Sequence, residues 1–153
     1  KGKTLTDSDL EAIANAVIGR ATASEKLIEL VDLAVLTGTR IVPTSSVRVI
    51  LNGQTYVESD TGVGPVDSAV KAIQKVTDRL ASIRLKEYRL EAITGGSDAL
   101  AEVIIKVEDK EGNFASARAA GEDVVVASVQ AMIDAINKIL LKKKSSITPT
   151  AYL

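Results

Sequence analysis

The run Val-Leu-Thr-Gly at residues 35–38 returns as Ala-Ile-Thr-Gly at residues 92–95, and later landmarks return with it. Gly53 is matched by Gly112, Gly62 by Gly121, and Val66, Val70 and Ala72 by Val125, Val129 and Ala131, at offsets of 57 to 59 residues. Any two units of similar order share turn glycines and helix valines. The nine-residue step from the hairpin glycine to the glycine before the helix is equal in both copies, and that argues for duplication. A duplicated chain of this length folds as two like units that bury their apolar faces together.

The elements inside each copy follow from periodicity. Glu87, Arg89 and Glu91 alternate with Tyr88, Leu90 and Ala92, and Glu102 and Lys106 alternate with Val103, Ile105 and Val107, as in strands with one buried and one wet face. Val31, Leu33 and Val35 read likewise. Asn52-Gly53 is a two-residue hairpin signal joining strands over 46–51 and 54–61, and residues 109–112 form a looser turn between strands over 101–108 and 113–119. Three amphipathic helices are predicted. The first carries Leu10, Ile13, Val17 and Ile18 on one stripe, with Ser8 and Glu11 spaced as a capping box. The second spans about 65–83 with Val66, Val70, Ile73 and Leu80 inward, and the third about 123–141 with Val125, Val129, Met132, Ile136 and Leu140 inward. The order after the first helix is βββα, βββα. The expected fold is α+β: two pseudo-symmetric βββα units, each an antiparallel sheet covered by one helix.

Composition removes most chemistry. The 153 residues are 46% hydrophobic, enough for a core, and the 25% that are charged nearly cancel to a net charge of −1. No strong field therefore calls for nucleic acid or an anionic membrane. No apolar run approaches the roughly 20 residues that cross a bilayer, and no signal-like start is seen, so the default expectation is a cytoplasmic protein. With no cysteine and no histidine there is no thiolate nucleophile, no imidazole base and no metal site richer than carboxylates and carbonyls. The few aromatics, Tyr56, Tyr88, Tyr152 and Phe114, form no cluster for stacking bases.

The stretch DTGVGPVDSAV at residues 60–70 is the junction from the third strand into the second helix. Pro65 fits a first helical turn, and Gly62 and Gly64 permit a tight or positive-φ turn with close backbone approach. A helix start of this kind attracts anions. The third glycine of a dinucleotide fingerprint and the lysine of a P-loop are absent, and Asp67 would repel a phosphate, so a phosphate cradle is disfavoured. Two roles stay open for Asp67: a carboxylate that answers the helix dipole, or a ligand for the ammonium of a zwitterion whose apolar part meets Val63 and Val66.

Three motifs carry a family resemblance: GVGPVDSAVKAI at 62–73, YRLEAITGGSDALAEV at 88–103 and AAGEDVVVASVQAMIDAIN at 119–137. Together they resemble the C-terminal regulatory domain of the 2-isopropylmalate synthase family, which includes citramalate synthases, and VLTGTRIVPTSSVRVILNG at 35–53 resembles its archaeal-type branch. The resemblance implies a linker helix segment over 1–25, a regulatory domain over 26–144 (unit one about 26–83, unit two about 84–144) and a tail over 145–153. It implies a homodimer that binds a branched-chain amino acid and inhibits a catalytic barrel of the same polypeptide, by a change in the two junctions relayed through the first helix. The parent enzyme would join acetyl-CoA to a 2-keto acid with a divalent metal held in that barrel. This chain has no histidine and is shorter than the roughly 250 residues of such a barrel, so it resembles a non-catalytic C-terminal portion with no cofactor of its own.

The effector site implied by the resemblance comprises Gly62, Val63, Gly64, Pro65, Val66 and Asp67 at one junction and Gly121, Asp123 and Val124 at the other. Residues 95–99 would form a nearby conformational loop. Backbone groups of Gly64 and Gly121 would hold the effector's ends, Asp67 or Asp123 its ammonium, and Val63, Val66 or Val124 its aliphatic chain. Capping remains the other role for Asp98 and Asp123. The sequence departs from the family pattern at Ser68, Ser97, Ala101 and Glu122, and Glu122 adds a negative charge at the second junction. Leucine, with a 2-isopropylmalate synthase parent, is the expected effector, and isoleucine with a citramalate synthase is the alternative. Two other classes make different demands. A pure dimerisation module needs no pocket, whereas a double-stranded RNA-binding domain needs Lys and Arg where this chain has Pro65 and Asp67.

Overall fold

A computed structural model describes residues 26–93 and 100–147, the last three by backbone alone. The predicted first helix, the 95–99 loop with Asp98 and the end of the tail lie outside the described residues. Unit one contains β1 (Ile28–Gly38), β2 (Ile41–Leu51), β3 (Gln54–Thr61) and α1 (Pro65–Thr77). Unit two contains β4 (Ile83–Ile93), β5 (Leu100–Asp109), β6 (Phe114–Gly121) and α2 (Val124–Ile147). Each unit is a three-stranded antiparallel sheet in order β1-β2-β3 or β4-β5-β6, so the βββα, βββα order is observed.

The duplication extends to irregularities. β1 slips register against β2 between Leu30 and Asp32, and β4 slips against β5 between Leu85 and Glu87, near the start of the first strand in each copy. A bulge inserts a residue and reverses the facing that follows. It turns Val31 outward to 48% exposure, so the predicted Val31-Leu33-Val35 stripe holds only for the half-buried Leu33 and Val35. In β4, Tyr88 is half-buried, but Leu90 is 51% exposed and Ala92 is exposed, against the alternation expected there. β5 follows its pattern, with Val103, Ile105 and Val107 fully buried.

One apolar cluster joins both units. Val47, Val49 and Leu51 from β2, and Val103, Ile105 and Val107 from β5, meet Val70, Ile73 and Val76 of α1 and Val129, Met132, Ile136 and Ile139 of α2. Ala115 and Ala117 on β6 face the helix layer with Ala127, Ala131 and Ala135 of α2, all buried. Small side chains on both surfaces permit close approach of helix and sheet.

The helix ends differ from the sequence reading. α1 stops at Thr77, not near residue 83, because amides of Asp78, Arg79, Leu80 and Ala81 close a turn onto carbonyls of Gln74, Val76 and Thr77. Leu80 is therefore 47% exposed in the turn, and Ile83 is the buried first residue of β4. Apolar periodicity ran across a chain reversal. α2 continues to Ile147, which places Lys142, Lys143 and Lys144 within the helix. Its stretch Val124–Lys144 reaches a mean hydropathy of 1.7 and is long enough to cross a membrane, although no such run was expected. With 61% of its most apolar window buried in the protein, core burial accounts for that apolarity.

Candidate functional site

At the first junction the chain turns tightly under the start of α1. The Gly62 amide donates to the Pro43 carbonyl at 3.0 Å, carrying the ladder one residue beyond β3. A Cβ on Gly62 would lie 2.5 Å from the Ser68 amide nitrogen and 2.6 Å from Asp67 Oδ2, so glycine is required by close approach. Gly64 is different: its φ of −158° is extended backbone, and a Cβ there would meet nothing within 4 Å. Neither glycine has the positive φ that the sequence allowed; Gly53 and Gly112 in the hairpins do.

Asp67 is committed locally. Its Oδ2 accepts from the Val63 amide at 2.9 Å and pairs with Lys71 Nζ at 3.2 Å. This carboxylate closes the loop from the first turn of the helix, a variant of the capping box that reaches one residue further back. Val63 is 93% exposed, while Val66 packs against the core. Beneath them Ser68 Oγ donates to the Pro65 carbonyl at 2.9 Å and shares a buried 2.5 Å hydrogen bond with Ser45 Oγ.

The second junction is built otherwise. Asp123 is the N-cap of α2, and its Oδ1 accepts from the amides of Val125 at 2.9 Å and Val126 at 3.1 Å. Beside it lies an open cavity of about 320 Å³ lined by Ala119, Ala120, Gly121, Glu122, Asp123, Val126, Ala127 and Gln130. That volume is near the lower end of the roughly 300–1,000 Å³ typical of small-molecule sites. Gln130 is fixed at its rim by a 3.0 Å bond from Nε2 to Asp134 Oδ1.

The structure thus brings Gly121 and Asp123 into one cavity and leaves Gly62, Val63, Gly64, Pro65, Val66 and Asp67 out of its lining. Val124 packs against the core, and Val126, half exposed, supplies the apolar wall. Val126, Ala127 and Gln130 follow Asp123 by three, four and seven residues. That spacing marks one face of a helix and was the available signal for these missed residues. The lining contains two carboxylates and no Lys or Arg. It suits an ammonium beside a small apolar group, while the Val125 and Val126 amides are already taken by Asp123.

A larger cavity of about 650 Å³ lies at the edge of β6, lined by Phe114, Ala115, Ser116, Lys138, Leu141 and Lys142. Lysine ammoniums cover edge carbonyls there: Lys138 Nζ donates to Ser116 O at 2.7 Å and Lys142 Nζ to Phe114 O at 3.5 Å. Lysines that mask an exposed strand edge oppose pairing with other chains, which gives this groove a structural explanation.

One buried carboxylate has a strongly shifted titration. Asp109 ends β5, and its side chain accepts from the Glu111 amide and from the amide and Nδ2 of Asn113, at 2.9 to 3.0 Å, and from Lys143 Nζ at 3.0 Å. Burial pushes its pKa up, but the donors from Asn113, Lys143 and the Glu111 amide together prevail and hold it at about 2. The bond to Asp109 in turn raises Lys143 above the usual lysine value. Among the described residues no group of three or more His, Cys, Asp or Glu could hold a metal ion.

A model of the family described as the LeuA allosteric (dimerisation) domain matches residues 4–140. The chain belongs to that family. The LeuA-type domain here is 50% identical over 144 residues to 2-isopropylmalate synthase of Methanocaldococcus jannaschii, covering 94% of this chain and 27% of the relative. It is 46% identical over 145 residues to a protein named "Probable 2-isopropylmalate synthase" of Methanosarcina acetivorans, covering 95% and 28%. It is also 41% identical over 147 residues to "Putative (R)-citramalate synthase CimA" of Methanothermobacter thermautotrophicus, covering 96% and 29%. The chain spans less than a third of the length of these relatives.

Proposed function

We propose that this domain senses a branched-chain amino acid in the cavity at the start of α2 and, as a homodimer, inhibits the catalytic portion of a cytoplasmic synthase on the same polypeptide. The observation that carries this reading is the pairing of Glu122 and Asp123 with the small apolar wall of Val126, Ala119, Ala120 and Ala127 in one cavity. The effector's ammonium lies toward the carboxylates and its aliphatic chain against Val126. Its carboxylate faces the open side, where a second copy closes over it. Leucine is the first choice, in keeping with the higher identity to the relatives named 2-isopropylmalate synthase, and isoleucine with a citramalate synthase parent is the second. The synthase reaction, from acetyl-CoA and a 2-keto acid, and its divalent metal belong to the catalytic portion.

Calorimetry and thermal melts with millimolar leucine, isoleucine and valine test the reading. Leucine is expected to give heat and a raised Tm, because a ligand that binds only the folded state stabilises it. Val126→Trp fills the cavity from a half-exposed position; it is expected to weaken leucine at least about tenfold, or 1.4 kcal/mol, with little change in the ligand-free Tm. No heat and no Tm shift with any of the three amino acids would sink the proposal. A ligand-free dimerisation module is the second reading. It is favoured by exposed apolar side chains at equivalent ends of the two sheets: Leu36, Ile41 and Val42 in unit one, and Leu90, Ile93 and Leu100 in unit two. A dimer indifferent to every amino acid would support it.

A further inference from the structure

α2 is a largely buried rod whose two ends meet different parts of the protein. Its first turn borders the candidate cavity. From Asp123 to Asn137 the helix advances about 21 Å at 1.5 Å per residue. There the apolar stripe is interrupted by an amide, because Asn137 is only 5% exposed and lies among Ile133, Ile136 and Leu140. Its Oδ1 accepts from the backbone amides of Leu27 and Ile28, both at 3.0 Å, and its Nδ2 donates to the Ile28 carbonyl at 2.7 Å.

These bonds hold the chain at Leu27 and Ile28, where it enters the first sheet. From the other side the Asn52 amide donates to the Leu27 carbonyl at 2.7 Å, and Ile28 pairs with Leu51. A leucine at position 137 would fill similar space but leave buried backbone groups unpaired, each a substantial loss. Unit one has no counterpart. The residue 59 positions earlier is Asp78, the C-cap of α1, whose carboxylate accepts from Arg84 instead, and the preceding Thr77 hydroxyl bonds its own helix at Gln74.

We infer that Asn137 is a positioning residue that makes the path of the chain at Leu27 and Ile28 follow α2, so that occupation of the cavity at the start of α2 is felt where the chain enters β1. The regulatory half of this inference rests on the ligand reading above; the mechanical half does not. The continuous i→i−4 hydrogen bonding of α2 makes it stiff along its axis, so a displacement at Asp123 that is not resisted by the core reaches the three bonds of Asn137.

Amide hydrogen exchange on the full chain tests both halves. Leu27 and Ile28 are read against Val47 and Val49, buried residues of the same sheet that report changes in overall stability. With saturating L-leucine, exchange at Leu27 and Ile28 is expected to change by about fivefold or more relative to the reference amides, a modest allosteric coupling. Asn137→Leu is expected to abolish that response while leucine still binds by calorimetry. Should that variant not fold, Asn137→Asp keeps the acceptor for both amides, loses the donated bond, and is expected to weaken the response. Leucine that binds without altering Leu27 and Ile28, or a variant that responds like the wild type, overturns the inference. In a second arm without ligand, Asp123→Ala frays the start of α2. Exchange at Leu27 and Ile28 is then expected to rise more than at Val47 and Val49, and an equal change overturns the inference. If no branched-chain amino acid binds, the ligand reading fails by itself and the second arm decides the mechanical coupling.

Discussion

The two units share an order of elements and differ in how each joins its sheet to its helix. In unit one the junction is closed by steric fit: Gly62 lies against the Ser68 amide, and Asp67 reaches back to the Val63 amide. In unit two a Cβ on Gly121 would meet nothing within 4 Å, and Asp123 caps the helix directly. The first junction is tight at Gly62, and the second borders a cavity. The two junctions hold matched positions in the repeat, and the open cavity lies beside the one whose glycine has no close neighbour. Unit two also has the longer helix and the only hairpin turn of the pair that is organised by a buried carboxylate.

The matched glycines offer the largest test of that contrast. Gly62→Ala drives a methyl group into backbone that cannot rotate away, and a loss of about 3 kcal/mol is expected from such overpacking. Gly121→Ala enters open space and is expected to stay within about 0.5 kcal/mol of the wild type. Urea unfolding of the two variants reads the difference. Similar losses would mean that the junctions are equivalent and that the contrast is mistaken.

The hairpins differ in their response to pH. Asn52 and Gly53 form a two-residue turn with φ of 51° and 83°, and the backbone conformation defines it. The β5–β6 turn instead gathers around ionised Asp109, whose pKa falls from an ordinary 3.8 to about 2 on folding. A depressed carboxylate pKa contributes stability that is fully present above the unfolded value and is lost as pH falls through the folded one. That contribution, about 2 kcal/mol, is expected to disappear between roughly pH 4 and pH 2. Asp109→Asn is expected to be less stable at pH 7 and to show a flatter acid limb in denaturant titrations. An acid limb identical to that of the wild type would remove Asp109 from this role.

Much of the fold was legible because its signals are local and doubled. Asn52-Gly53 named one hairpin, the alternation of Val103, Ile105 and Val107 oriented β5, and the repeat fixed the order of elements. Signals that depend on three-dimensional contact were not legible. The outward turn of Val31 comes from a bulge, and the stop at Thr77 comes from carbonyls that accept from a turn which apolar Leu80 disguised. At the site, Gly121 and Asp123 were found from their place before a helix. Val126 and Gln130 carry only the weaker signal of a helix face, three and seven residues beyond Asp123, which their partners in the cavity do not reinforce locally. Asn137 gave no sign at all: its partners lie 109 and 110 residues away in the chain.

The smallest expected difference concerns the two aspartates. Asp123 satisfies two amides in the first turn of its helix, and its replacement by alanine removes a true N-cap, with an expected loss of about 1 kcal/mol. Asp67 serves one loop amide and an ion pair with Lys71 whose side chains are 36% and 47% exposed, so Asp67→Ala is expected to lose only about 0.5 kcal/mol. Salt separates the two further, because an exposed pair is screened while a short hydrogen bond to a backbone amide is not. In molar salt the Asp67→Ala loss is expected to shrink and the Asp123→Ala loss to persist. If both losses fall together, Asp123 acts mainly as a charge near a dipole and is freer to meet an ammonium than its bonds to Val125 and Val126 imply. If they separate as expected, its Oδ1 is committed to the helix, and within the second junction the remaining Asp123 oxygen and Glu122 are left to face the cavity.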